Sequence, residues 1–163
     1  MRTLVVGAGV SGRAAARLAR DLGDDVMVFE RLPAAVAPLA LEYPTASGEW
    51  TGDLLDRVDR LVVSPGVTDH APEVRDALVA GVPVISEIEL ASSIVTAPIV
   101  AVRGTNGKTT VTGIIADLLL AGGRSAVAIG NIGTAFSSVA LDEWDVVVVE
   151  VSIFQLRFIV RFN

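Results

Sequence analysis

The chain has 163 residues, enough for one or two domains, and 52% of them are hydrophobic, so composition permits a sizeable buried core. A net charge of −6 and the lack of a basic run argue against a nucleic-acid partner, and the absence of cysteine excludes a disulfide framework and a thiolate metal site. No apolar run approaches the ~20 residues that span a bilayer. Met1-Arg2 leads straight into Thr3–Val6, and Gly7, Gly9 and Gly12 break any signal-type apolar segment, so membrane insertion is not expected and a reducing cytoplasm fits.

Thr3–Val6 reads as a short buried strand, followed by Gly7-Ala8-Gly9-Val10-Ser11-Gly12 and a helix over Arg13–Asp21 that ends near Gly23. Asp25–Phe29 is a second strand with Glu30 at its end. Glycine turn, helix start and an acid ~20 residues on form the dinucleotide fingerprint, in which glycines let the backbone approach a pyrophosphate. Glu30 is then either a ribose ligand or a solvated strand-end carboxylate.

Residues 33–52, with Pro33, Pro38, Pro44 and Gly48, predict a loop holding one short helix. Leu61-Val62-Val63 is a third strand ending in Ser64-Pro65-Gly66. Ligands of parallel sheets bind beyond the carboxyl ends of the strands, which offers Ser64 and the Gly66 N–H as anion contacts; an ordinary Pro-Gly turn explains the tripeptide equally well. Asp69–Ala80 predicts a helix, with Pro72 and Glu73 suited to its first turn. Val82–Ile85 is a fourth strand. Ser86 then caps a helix with Glu89 three residues later, which makes Glu87 and Glu89 helix-start residues. Repeated β–α units over 1–93 give a doubly wound parallel sheet.

Thr96-Ala97-Pro98 breaks the pattern, so 94–98 is a predicted linker and 99–163 a second α/β unit. The strand 99–102 runs into Gly104-Thr105-Asn106-Gly107-Lys108-Thr109-Thr110 and a helix over 109–121. Strand, glycine loop, Lys-Thr, helix is the layout of a phosphate-binding loop. In that layout Lys108 reaches the β/γ-phosphates and the Thr109 hydroxyl ligates Mg²⁺. The spacing is short, since Val102 stands where the first glycine of the longer pattern would be. Ala126–Ile129 predicts a strand ending in Gly130-Asn131-Ile132-Gly133, with Asn131 a candidate polar ligand contact. Asp145–Val149 predicts a central strand with Glu150 at its carboxyl end. Glu150 is read as a Mg²⁺ partner of the loop, the alternative being the first exposed residue after the strand.

Together, Gly104–Thr110, Gly130-Asn131-Ile132-Gly133 and Glu150-Val151-Ser152-Ile153-Phe154-Gln155-Leu156 resemble the Mur ligases, in particular their D-glutamate-adding branch. Ser64-Pro65-Gly66 and Ser86-Glu87-Ile88-Glu89-Leu90 resemble the N-terminal domain of that branch. The resemblance covers nearly the whole chain. It implies a Rossmann-like UDP-substrate domain followed by the first part of a P-loop α/β ATPase domain. It implies substrate contacts at Val10, Ser11, Arg31, Ser64, Gly66 and Asn131, an ATP site at Gly104–Thr110 with Lys108 catalytic, and Mg²⁺ at Thr109 and Glu150.

The implied reaction joins D-glutamate to UDP-N-acetylmuramoyl-L-alanine through an acyl phosphate formed from ATP, in peptidoglycan synthesis. Three residues depart from the family pattern: Arg103 for Thr, Ala135 for Pro, and Ile153 for the second Ser of Glu-x-Ser-Ser-Phe-Gln-Leu. The family continues with a metal-binding His, a carbamylated Lys and a third domain. On that comparison the chain stops inside its ATPase domain, and the expectation is a portion inactive by itself, with terminal apolar residues 157–163 short of packing partners. The other functional classes are a non-catalytic UDP-sugar-binding module and a nicotinamide oxidoreductase using Gly7–Gly12.

Overall fold

A computed structural model describes residues 1–153, 155–160 and 162. Phe154 of the Glu-x-Ser-x-Phe-Gln-Leu stretch, and Arg161 and Asn163 of the terminal run, lie outside the described residues. The first sheet is wholly parallel and contains β1 (Arg2–Val6), β2 (Asp25–Glu30), β3 (Thr45–Ser47), β4 (Arg60–Val63) and β5 (Val84–Ser86), in the order β3-β2-β1-β4-β5. Its helices are α1 (Val10–Asp21), α2 (Pro33–Val36), α3 (Pro72–Val79) and α4 (Glu87–Ser92). The second sheet is also parallel and contains β6 (Ile99–Val102), β7 (Ala126–Gly130) and β8 (Val146–Glu150), in the order β6-β8-β7, with α5 (Lys108–Ala121) following β6.

Near-continuous Val and Leu runs in β1, β4 and β8 suit strands covered on both faces, and those strands are buried. The layers run α3, first sheet, α1 with α4, second sheet, α5. On one face of the first sheet Leu4, Val6, Phe29, Leu61 and Val63 pack with Val74 and Ala77 of α3. On the other, Val5 and Val28 share a cluster with Ala15, Ala16 and Leu18 of α1 and with Ile88 and Leu90 of α4. That cluster continues into Phe136 and into Ile129, Val147 and Val149 of the second sheet. α5 covers the far face of the second sheet through Ala116, against Val102 and Val148.

Several elements differ from the sequence expectation. β3 is a strand inside the segment expected to be a loop with one short helix. Thr45-Ala46-Ser47 has no apolar alternation, and it becomes a strand because the open edge of β2 offers it a parallel ladder. α1 starts at Val10, three residues early, so its first turn lies inside the glycine motif. α3 starts at Pro72, not Asp69, because proline fits the first helical turn. Glu150 is the last residue of β8 and is 2% exposed, not the first exposed residue after it. Three of the described terminal residues find partners, Phe158 on the α3-side cluster, Phe162 on the shared cluster and Arg157 with Asp69, while Val160 stays 73% exposed.

Candidate functional site

In the first sheet β1 and β4 are neighbours, while the chain leaves β1 toward β2 on the other side. This switch in strand order opens a crevice at the carboxyl ends, where open α/β sheets bind ligands. Gly7 stands there with φ +103°, and a Cβ on it would lie 2.7 Å from Ser64 Oγ. The third glycine, Gly12, allows a closer approach still: a Cβ would sit 1.8 Å from the Gly7 carbonyl oxygen. The motif thus draws the N-terminus of α1 onto the end of β1 and turns its unpaired N–H groups toward the crevice.

The crevice opens into a cleft of about 760 Å³. Val10, Ser11, Arg31, Ser64, Gly66 and Asn131, the six predicted substrate contacts, all line it. Asn131 comes from the second sheet, so the cleft is built by both. Arg31 is held from below. Its Nε and Nη2 donate to the two carboxylate oxygens of Glu73 at 2.9 and 3.0 Å, and Glu73 is 1% exposed. Its place in the first turn of α3 predicts only a helix-dipole role for Glu73. Its bidentate pairing joins residues 42 positions apart, which local sequence does not encode. The hydrogen bonds and charge of Glu73 push the Arg31 guanidinium above its usual range.

Glu30 lines the same cleft. Its two carboxylate oxygens accept the N–H groups of Ala8 (3.0 Å) and Leu32 (3.2 Å). The acid of the fingerprint is therefore bound to the glycine turn itself.

The second sheet builds a different arrangement. β8 is central, and its register places Glu150 between Val102 and Gly130. The phosphate loop leaves from Val102 on one side, and the Gly130–Gly133 turn leaves on the other. Gly130 has φ +103°, and a Cβ there would lie 2.3 Å from the Glu150 carbonyl oxygen, so only glycine fits. Gly107 has φ +73° and ends the loop; Lys108 and Thr109 open α5, with the loop exposed and Lys108 half-buried. Thr109 Oγ1 donates to Glu150 Oε2 at 2.7 Å, and Asn131 Nδ2 donates to Glu150 Oε1 at 3.3 Å. The two residues predicted to meet Mg²⁺ are thus in direct contact, and the second is bonded to the Asn that lines the cleft.

A family model described as Mur ligase MurD-like, N-terminal domain, matches residues 1–86. The chain belongs to the MurD-like Mur ligases. The UDP-N-acetylmuramoylalanine–D-glutamate ligase of Streptococcus uberis is 42% identical over 170 residues, covering 99% of this chain and 38% of that protein. The corresponding ligase of Salinibacter ruber is 44% identical over 175 residues, covering 99% of this chain and 37% of its own length. The chain therefore spans somewhat over a third of the length of these MurD relatives. Among solved structures, UDP-N-acetylmuramate-alanine ligase MurC from Thermotoga maritima matches with a TM-score of 0.51 at 26% identity, over 77% of this chain and 30% of that one. A murein peptide ligase from Psychrobacter arcticus, at 21% identity, shares the fold with a TM-score of 0.55 over 94% of this chain and 38% of its own.

The departures from the Mur pattern have simple structural settings. Ala135 has φ −69°, close to the value a proline would impose. Arg103 is exposed beside the loop. Ile153 is 60% exposed, while its neighbour Ser152 exchanges hydrogen bonds with Gln155, N–H to Oε1 at 2.9 Å and Oγ from N–H at 3.4 Å.

Proposed function

We propose that this chain carries the UDP-substrate cleft and the nucleotide-phosphate loop of a UDP-N-acetylmuramoyl-L-alanine:D-glutamate ligase. The observation that supports it most is the convergence of Val10, Ser11, Arg31, Ser64, Gly66 and Asn131 on one cleft, with Asn131 hydrogen-bonded to the acid beside the phosphate loop. In this reading the glycine turn and the α1 N-terminus receive the diphosphate, because unpaired N–H groups and the helix dipole favour an anion there. Gly104–Thr110 receive ATP, with Lys108 placed at the start of α5 to neutralise the transferring phosphoryl group. The proposed reaction is attack of the substrate carboxylate on the ATP γ-phosphate, then capture of the acyl phosphate by the amine of D-glutamate. An ATP-consuming step of this kind belongs in the cytoplasm. Among the described residues no helix is long and apolar enough to cross a membrane.

The residues present suit Mg²⁺. Glu150 is a buried carboxylate with no ion pair among the described residues, and its partners are a hydroxyl and an amide. A buried, unpaired carboxylate is expensive, and hard oxygen donors with one carboxylate are what Mg²⁺ takes beside phosphate. Glu150 and Thr109 would hold the ion, which when bound supplies charge neutralisation at the β- and γ-phosphates. Glu150 also accepts the Asn131 amide and so fixes its side chain toward the loop.

Calorimetry tests the reading. Saturable binding of both UDP-N-acetylmuramoyl-L-alanine and Mg²⁺-ATP is expected. Lys108→Ala should weaken the second by roughly ten- to a hundredfold, the worth of one charge-assisted hydrogen bond, and leave the first unchanged. Binding of NADH without binding of the UDP compound would reject it in favour of a nicotinamide enzyme. Binding of the UDP compound with no ATP binding would reduce the chain to a UDP-sugar module.

A further inference from the structure

Glu87 opens α4, directly after the Ser86 that caps it. The capping bond, Glu89 N–H to Ser86 Oγ at 3.2 Å, is made, so helix initiation does not require an acid at 87. Yet the Glu87 side chain is among the most deeply buried of the molecule, 1% exposed, with no ion pair among the described residues. Its Oε1 accepts the backbone N–H of Ser137 at 2.6 Å, fifty positions along the chain, on a turn that packs directly against α4. An uncompensated carboxylate in that position disfavours the fold, and an apolar residue would pack without that cost. The acid is there for its acceptor.

What it grips is the base of the arm that carries Asn131. The arm leaves β7 at Gly130, whose N–H closes on the Thr134 carbonyl at 2.8 Å, and the Asn131 N–H donates to the Glu150 carbonyl at 3.1 Å. Phe136, fully buried, then roots the 3-10 turn Phe136–Ser138 against α1 and α4. Among the described residues that line the cleft, Asn131 is the one beyond Glu73. Its placement there depends on how the second sheet sits on the first, and Glu87–Ser137 is a polar bond between the two made inside the core.

We propose that Glu87 is a positioning residue: by clamping the Phe136–Ser138 turn to α4 it sets the depth at which Asn131 enters the substrate cleft. The ligand arm of the test rests on the assignment of the cleft to the UDP-linked substrate, and the exchange arm does not. Amide hydrogen exchange on the free chain comes first. In Glu87→Ala, protection at Ser137 and Asn131 should fall at least tenfold while Ala128 and Val148 in the strands keep theirs. Glu87→Gln, which retains an acceptor, should restore most of it. Glu87→Asp, shorter by one methylene, should show the same selective loss if the alanine variant does not fold.

Affinity for UDP-N-acetylmuramoyl-L-alanine comes second. Glu87→Ala should weaken it about as much as Asn131→Ala does, and the double variant no further, because one residue acts through the other. Unchanged exchange at Asn131 in both Glu87→Ala and Glu87→Asp, or losses that add fully in the double variant, would overturn the clamp. A wild-type chain that does not bind the UDP compound would overturn the functional reading alone, with the exchange result still deciding the clamp.

Discussion

Two buried glutamates show what single residues contribute. Glu150 has two hydrogen-bond donors and, among the described residues, no cation. Replacing it with glutamine removes a buried charge and keeps an acceptor. Glu150→Gln is therefore expected to raise stability to denaturant by about 1 kcal/mol or more while weakening Mg²⁺-ATP binding at least about tenfold. Loss of both together would mean that the carboxylate is structural. For Glu87, burial pushes the carboxyl above the ordinary glutamate value, and the Ser137 hydrogen bond acts against that rise. The folded chain then holds this proton more tightly than the unfolded chain does. Its contribution to stability is fully present below the ordinary value and is lost as pH rises through the raised one. As pH rises from about 4, the ordinary glutamate value, denaturation should show a fall in stability that Glu87→Gln flattens; identical slopes in the two proteins would contradict the assignment. From sequence, Glu87 and Glu89 were helix-start residues. The cap is real, but the burial and long-range partner of Glu87 arise from packing between distant segments, which no local pattern records.

At the scale of elements, the glycine motif acts as a hinge of fixed angle between β1 and α1. Gly12 is the position to test, because its missing Cβ is what lets the helix touch the Gly7 carbonyl. Gly12→Ala is expected to push the α1 N-terminus away from the crevice, cost about 1–3 kcal/mol of stability as overpacking, and weaken diphosphate binding about tenfold. Calorimetry with UDP, paired with chemical denaturation, checks both. Strands with long runs of Val and Leu, and the loop–helix unit at Gly104–Thr110, were legible because apolar runs and glycine punctuation are local signals. β3 was not, since Thr45-Ala46-Ser47 is a strand only by virtue of the edge beside it. The Arg31–Glu73 pair was half legible: the arginine stood out, and its buried partner 42 positions on did not.

In the whole molecule, α1 and α4 lie between two parallel sheets and belong to the core of both. Ala15, Ala16 and Ala19 give α1 small faces, which lets it be covered on two sides. Sequence periodicity marked α1 as a helix but could not show that a second sheet packs across it. That packing carries Asn131 to a cleft otherwise lined by the first-sheet unit, and in the proposed function this one cleft, completed by both sheets, holds the UDP-linked substrate. The direct test is to follow backbone amide shifts by NMR while UDP-N-acetylmuramoyl-L-alanine is added. Val10, Ser11, Ser64, Gly66 and Asn131 should shift together along one saturation curve, with Gly104–Thr110 changing less. Shifts confined to the first sheet with Asn131 unmoved, or centred on Gly104–Thr110, would contradict it.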